Sequence, residues 1–132
     1  MIETCASLGV EAMRRGGHPG CWIEDDPGRG RPHRKIGALG LRIERGVSYH
    51  GIALNIDVDL RDFDLIDPCG EPGLISTSVA EELGRSAEPP TTAQVERAGS
   101  LFADAFGAAI GAPVEWASPS ETGPASPALV EA

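Results

Sequence analysis

Two apolar segments separated by one short turn constrain this chain most. Ile36, Ala38, Leu39, Leu41, Ile43 and Val47 follow a mostly alternating pattern, cleanest over Leu41-Arg42-Ile43-Glu44-Arg45. The next segment, YHGIALNIDV from Tyr49 to Val58, puts Ile52, Leu54 and Ile56 on one face. Alternation at period two is the signature of a half-buried strand. Gly46 lets the chain reverse between the segments, and two strands joined so tightly pair antiparallel. Gly37 and Gly40 interrupt the first strand, and a glycine there marks a bulge or the close approach of a ligand.

The flanking sequence predicts helices around this pair. Ile2, Cys5, Leu8, Val10 and Met13 recur at helical spacing, predicting a short helix over Ile2 to Met13 with no capping residue ahead of it. Gly16 to Gly20 is a breaker, Cys21 to Glu24 a short strand, and Asp25 to Pro32 an exposed connection with a Pro-Gly turn. Leu60 to Ile66 reads as one helical turn. Ser76 or Thr77 caps a helix over Ser78 to Leu83 that Gly84 stops. A second helix, capped at Thr91 or Thr92, carries Val95, Leu101, Phe102, Ala105, Phe106 and Ala109 on its buried face. The Pro/Ser-rich end from Ala117 to Ala132 reads as a disordered tail, leaving residues 1–116 as the domain.

Composition narrows the class. A chain of 132 residues supports one core, and 17 glycines with 11 prolines mark a loop-rich α/β or α+β domain rather than a helical bundle. The net charge of -9 disfavours binding to a nucleic-acid backbone. No apolar run approaches the roughly 18 residues a membrane span needs, and no secretory signal pattern opens the chain. Three widely spaced cysteines, Cys5, Cys21 and Cys69, argue against a disulfide framework and for a reducing cytoplasm.

Cys69 lies between Pro68 and Gly70, rigid on one side and uncrowded on the other, with backbone N–H groups of the loop available to an anion. A thiolate there is a plausible nucleophile if a cation lowers its pKa, and a small buried apolar residue otherwise. Cys5 and Cys21 read as core residues. Lys35 is the only lysine; the other ten basic residues are arginine. Lysine can lose its proton when desolvated and guanidinium cannot, so Lys35 reads either as a pKa-tuning group or as a solvated strand-edge charge. His50 invites a Cys/His pairing with Cys69, against a hydrogen-bonded structural role. Cys21, His18 and His33 have no metal-ligand spacing, and no metal site is expected. The short basic runs at Arg14-Arg15 and Arg29 to Arg31 read as solvated, and no phosphate-binding glycine loop is present.

Arg34-Lys35-Ile36-Gly37-Ala38-Leu39-Gly40-Leu41-Arg42, then Ser48-Tyr49-His50-Gly51-Ile52-Ala53-Leu54-Asn55, then Pro68-Cys69-Gly70 together resemble the lipoyl(octanoyl) transferases. Thr77-Ser78 running into Glu82-Leu83-Gly84, and Pro19-Gly20-Cys21-Trp22-Ile23 upstream, are similar to further segments of that family. The resemblance covers about residues 1 to 110. It implies an α/β (α+β) fold like that of biotin and lipoate ligases, with a mixed or antiparallel sheet and flanking helices. The family's Arg-Gly-Gly-x-x-Thr-Tyr-His-Gly-Pro-Gly-Gln segment is absent, so the chain is expected to be an N-terminally truncated, C-terminal portion of the catalytic domain.

The implied activity is transfer of an octanoyl group from acyl carrier protein to a lysine of lipoyl domains, those of 2-oxoacid dehydrogenases and the glycine cleavage H protein. The family pattern assigns the acyl-thioester to Cys69 and the tuning of its pKa, or relay of its proton, to Lys35. It assigns acyl binding to the backbone around Ala38, Leu39 and Gly40 and around Gly51, Ile52 and Ala53. No cofactor, metal, nucleic acid or membrane is implied. Two other readings stand beside it. One is a non-catalytic remnant that binds lipoyl domains. The other is an ATP-dependent lipoate or biotin ligase relative, which would not need the thiol of Pro68-Cys69-Gly70.

Overall fold

A computed structural model describes residues 1–67, 70, 72–85 and 91–117. Cys69 and residues 118–132 of the expected tail therefore lie outside the described residues. Four strands form one sheet: β1 (Met13–Arg15), β2 (His18–Ile23), β3 (Arg34–Glu44) and β4 (Val47–Leu54), in the order β1-β2-β3-β4. Every neighbouring pair is antiparallel. An isolated parallel bridge joins Lys35 of β3 to Ser76. With helices α1 (Ile2–Ser7), α2 (Val79–Glu82) and α3 (Thr92–Ile110) beside the sheet, the fold is α+β as the sequence pattern predicts.

The β3–β4 hairpin is the longest feature, with an unbroken register from Gly37 opposite Leu54 to Glu44 opposite Val47. Arg45 and Gly46 turn it at φ of +50° and +80°, the left-handed pair that matches a two-residue turn to the twist of its strands. Val47 thus opens β4 instead of closing β3, and β4 ends at Leu54, short of the expected Val58. Asn55 explains that end. Its backbone N–H donates to the Ile36 carbonyl at 2.9 Å, its side-chain amide to the Thr77 carbonyl at 2.9 Å, and its own carbonyl accepts from Val79 N–H at 2.9 Å. The chain leaves the ladder there to meet the start of α2.

The first helix is shorter than its apolar spacing predicts. It stops at Ser7, Gly9 follows at φ +88°, and Met13 belongs to β1. Val10 still enters the core with Cys5, Cys21, Ile23, Ile36 and Val79, because a bend can bury the same residues that a helix would. The breaker at residues 16–20 is narrower than expected: Gly16 and Gly17 turn the chain, and His18 already begins β2. The two predicted bulge glycines separate. A Cβ at Gly37 would lie 2.9 Å from Met1 Sδ and 3.3 Å from Cys21 Cβ, whereas Gly40 meets nothing within 4 Å; Cys21 faces Gly37 and Trp22 faces Lys35, so the extra residue of the register shift is Ile36, in β3 beside Gly37. Leu60–Leu65 is the expected helical turn, in 3-10 form.

Ser78, not Ser76 or Thr77, caps α2, its hydroxyl accepting from the Glu81 N–H. Thr91 caps α3 through a reciprocal box with Gln94, satisfying two otherwise orphaned N–H groups. The buried stripe of α3 is Ala98, Ala103 and Gly107. Of the expected face, Val95, Phe106 and Ala109 are exposed and Leu101, Phe102 and Ala105 half-buried. Small residues win because the chain after the helix folds back against it: a Cβ at Gly107 would stand 2.8 Å from the Ala112 carbonyl oxygen and 3.2 Å from Val114.

Candidate functional site

Lys35 enters the site through its backbone. Its N–H donates to the Ile75 carbonyl at 2.7 Å and its carbonyl accepts from Thr77 N–H at 2.9 Å. Both main-chain groups are therefore held by the segment that follows Pro68-Cys69-Gly70. The side chain is buried, with 8% of the residue exposed, which excludes the solvated strand-edge reading.

Trp22 stands opposite Lys35 in the β2–β3 ladder. The ammonium lies 5.4 Å from the Trp22 ring centroid, and the Arg15 guanidinium is 5.0 Å from the same centroid. Cation–π attraction of this kind strengthens as the cation is desolvated. The indole N–H donates to the His18 carbonyl at 3.0 Å, and the His18 ring meets the indole edge-on at 5.8 Å. Gly20 leaves the room: a Cβ there would lie 2.8 Å from Lys35 Cε and 2.4 Å from the Gly37 carbonyl oxygen.

An ion cluster sits one residue before Lys35. Arg34 donates to both Glu82 carboxylate oxygens at 2.6 Å, and to the carbonyls of Glu24 and Pro32. The Thr77 hydroxyl donates to Glu82 Oε1 at 2.5 Å, and the Arg31 guanidinium donates to the same oxygen at 3.1 Å. Burial pushes the Glu82 carboxyl up, but the hydrogen bonds from Arg34 and Thr77 and the charges of Arg34 and Arg31 outweigh it and hold the group below its ordinary value. The same Glu82 hydrogen bond raises Arg34. Arg31, expected to be solvated, is thus a member of this cluster.

A cavity of about 490 Å³ opens beside Trp22, with Arg15, His18, His33, Gly70 and Ile75 among its lining residues. A second, more apolar groove of about 570 Å³ has Gly20, Cys21, Leu39, Phe102 and Phe106 in its walls. The six acyl-binding positions expected from the family pattern form three consecutive cross-strand pairs: Ala38 opposite Ala53, Leu39 opposite Ile52 and Gly40 opposite Gly51. Directly opposed residues share a face and successive ones alternate, so Ala38, Gly40, Gly51 and Ala53 make a nearly bare patch while Leu39 and Ile52 share the other side. His50 is exposed within β4, opposite Leu41, at φ +64°. Among the described residues no group of three or more His, Cys, Asp or Glu side chains is placed to hold a metal ion.

The profile of the lipoyl protein ligase A/B catalytic domain matches residues 1–100. The chain belongs to this family. Within it, the chain is similar to proteins named octanoyltransferase: 49% identical over 86 residues to one from Mycobacterium sp. (strain KMS), covering 64% of this chain and 35% of that protein. The relative from Desulfotalea psychrophila is 41% identical over 107 residues, 81% of this chain and 44% of its own length. The one from Acidobacterium capsulatum is 42% identical over 116 residues, 88% and 45% respectively. The chain thus spans less than half the length of these relatives.

Within this family frame, the sequence motifs pick out Lys35, Thr77 and Glu82 but not what joins them. Trp22 and Arg34 stand in those motifs and Arg15 in a run expected to be solvated, but their places around Lys35 and Glu82 do not follow from the sequence.

Proposed function

We propose that this chain is the C-terminal, thiol-bearing part of an octanoyltransferase. The observation that carries the reading is the double backbone tie of Lys35 to residues 75 and 77, just beyond Pro68-Cys69-Gly70, in a chain of this family. In this reading the Cys69 thiolate attacks the carbonyl carbon of an octanoyl thioester on acyl carrier protein. The tetrahedral oxyanion collapses, the donor sulfur leaves and takes a proton, and the acyl group is held as a Cys69 thioester. The amine of a lipoyl-domain lysine then attacks that carbonyl. The carbon–sulfur bond breaks, an amide forms, and the proton lost by the amine returns to the Cys69 sulfur.

Lys35 supplies the charge that favours the thiolate or the path for its proton. Loop N–H groups near Gly70 are the donors for the oxyanion. Ala38, Leu39, Gly40, Gly51, Ile52 and Ala53 form the acyl contact surface, where missing side chains let an alkyl chain lie close to backbone. The protein substrates are octanoyl-acyl carrier protein and the lipoyl domains of 2-oxoacid dehydrogenases and the glycine cleavage H protein. The compartment is the cytoplasm, whose reducing conditions keep a nucleophilic thiol free.

The test is intact-mass and peptide mass spectrometry after incubation with octanoyl-acyl carrier protein, alone and with the N-terminal portion of a full-length relative added. The expected result is an octanoyl addition on the Cys69 peptide, formed without ATP and discharged by a lipoyl domain. Acylation that requires ATP, or none under either condition, would overturn the reading.

A further inference from the structure

Glu82 sits on α2, away from the β3 ladder, yet two separate routes lead from it to Lys35. Its two oxygens accept the fork of Arg34, the residue preceding Lys35. Oε1 also accepts the hydroxyl of Thr77, whose N–H holds the Lys35 carbonyl. Arg31 completes the set from the connection between β2 and β3. The Thr77 carbonyl is taken by the Asn55 side chain, so every polar group of Thr77 is fixed: amide to β3, carbonyl to the end of β4, hydroxyl to α2.

We propose that Glu82 is a positioning residue that sets where Lys35 stands relative to the segment following Cys69, acting through Arg34 and Thr77. The inference rests on the acyl-transfer reading of Lys35 and Cys69. A bidentate guanidinium–carboxylate pair fixes angle as well as distance, and at this site it joins the first residue of β3 to the helix just after the Cys69 loop. Because both Glu82 oxygens are on the Arg34 fork and Oε1 is also shared with Thr77 and Arg31, rotating the carboxylate disturbs all three together. Asn55 alone cannot replace that restraint, since it holds only the Thr77 carbonyl. Glu82 touches no reacting atom in this scheme.

The test compares Glu82→Gln, Lys35→Met and the double variant Arg34→Met/Glu82→Met in the full chain. Two readouts are taken: the pH midpoint of Cys69 alkylation by iodoacetamide, resolved by peptide mass spectrometry, and hydrogen exchange of the Thr77 amide. Lys35→Met is expected to raise the midpoint, and its failure to do so overturns the acyl-transfer reading itself. With that shift in hand, Glu82→Gln is expected to raise the midpoint by about one unit, a tenfold loss of thiolate at a fixed lower pH, and to speed exchange at Thr77. An unchanged midpoint in Glu82→Gln overturns the positioning role while leaving Lys35 its own. Should Glu82→Gln not fold, the double variant decides, because replacing both members of a buried pair by apolar residues commonly preserves stability. A raised midpoint in the folded double variant supports the proposal, and a wild-type midpoint overturns it.

Discussion

The Lys35 ammonium lies 5.4 Å from the centroid of the Trp22 ring, its partner across the β2–β3 ladder. The ring is 1% exposed, so it carries both packing and the cation. Trp22→Ala is expected to cost about 3–5 kcal/mol in urea denaturation, the usual range for emptying a large aromatic site. Trp22→Phe keeps a ring beneath Lys35 and loses the indole bond to His18, worth about 1 kcal/mol. Equal losses in the two variants would show that the ring contributes little.

Gly20 leaves no room for a side chain beside Lys35. Its φ of +124° is one that L side chains rarely adopt, and an added Cβ collides with Gly37 backbone as well as with Lys35. Gly20→Ala is expected to destabilise by more than about 1 kcal/mol. Gly16→Ala, at a position with nothing within 4 Å, should stay within about 0.5 kcal/mol of wild type. Thermal unfolding of the two variants side by side checks the contrast.

Acid sensitivity follows from Glu82. Its folded-state value lies below the ordinary one, so it binds its proton less readily folded than unfolded. The stabilisation is present above about pH 4.3, the ordinary glutamate value, and is lost as pH falls through the lower folded value. The wild-type unfolding midpoint should therefore drop across this window, and Glu82→Gln should flatten that part of the curve. Arg34→Met alone, which strands a buried carboxylate, is expected to cost about 3–5 kcal/mol.

Cys5 and Cys21 are buried neighbours in the core. The hydrogen bond to Cys21 and burial push the Cys5 thiol well up. Native alkylation at pH 8 is expected to leave both unmodified, and unfolding in urea to expose both, as mapped by peptide mass spectrometry. Native labelling at the unfolded rate would contradict their placement.

The outer half of the β3–β4 hairpin is exposed and already carries Arg42, Glu44 and Arg45. Ile43 is 75% exposed and pairs with Ser48 near the turn. Ile43→Lys is expected to change stability by no more than about 0.5 kcal/mol, read by urea denaturation against the wild-type chain.

The hairpin and the start of α3 were legible because they depend on local chemistry, whereas the cap of α2 fell on Ser78 instead of Ser76 or Thr77. Alternation over Leu41 to Arg45 and the glycine at 46 suffice for an antiparallel turn, and the threonine at 91 suffices for a cap. The extent of α1 and the buried face of α3 were not. Both depend on what arrives from elsewhere: the bend at Gly9 satisfies the core with Val10 outside any helix, and the returning residues 112–114 select Gly107 over Phe106.

The site divides in the same way. Residue type and motif order alone marked Lys35, Cys69, the six small or aliphatic positions of the hairpin and the family they belong to. Only the tertiary structure decided that Lys35 is buried against Trp22, that its backbone is bound to residues 75 and 77, and that Glu82 gathers Arg31, Arg34 and Thr77. The physical reason is sequence separation. Apart from Thr77 and Glu82, five residues apart, those partners are separated by roughly a dozen to fifty residues, where no periodicity records them, and a charge's worth is set by the burial and geometry that folding alone supplies.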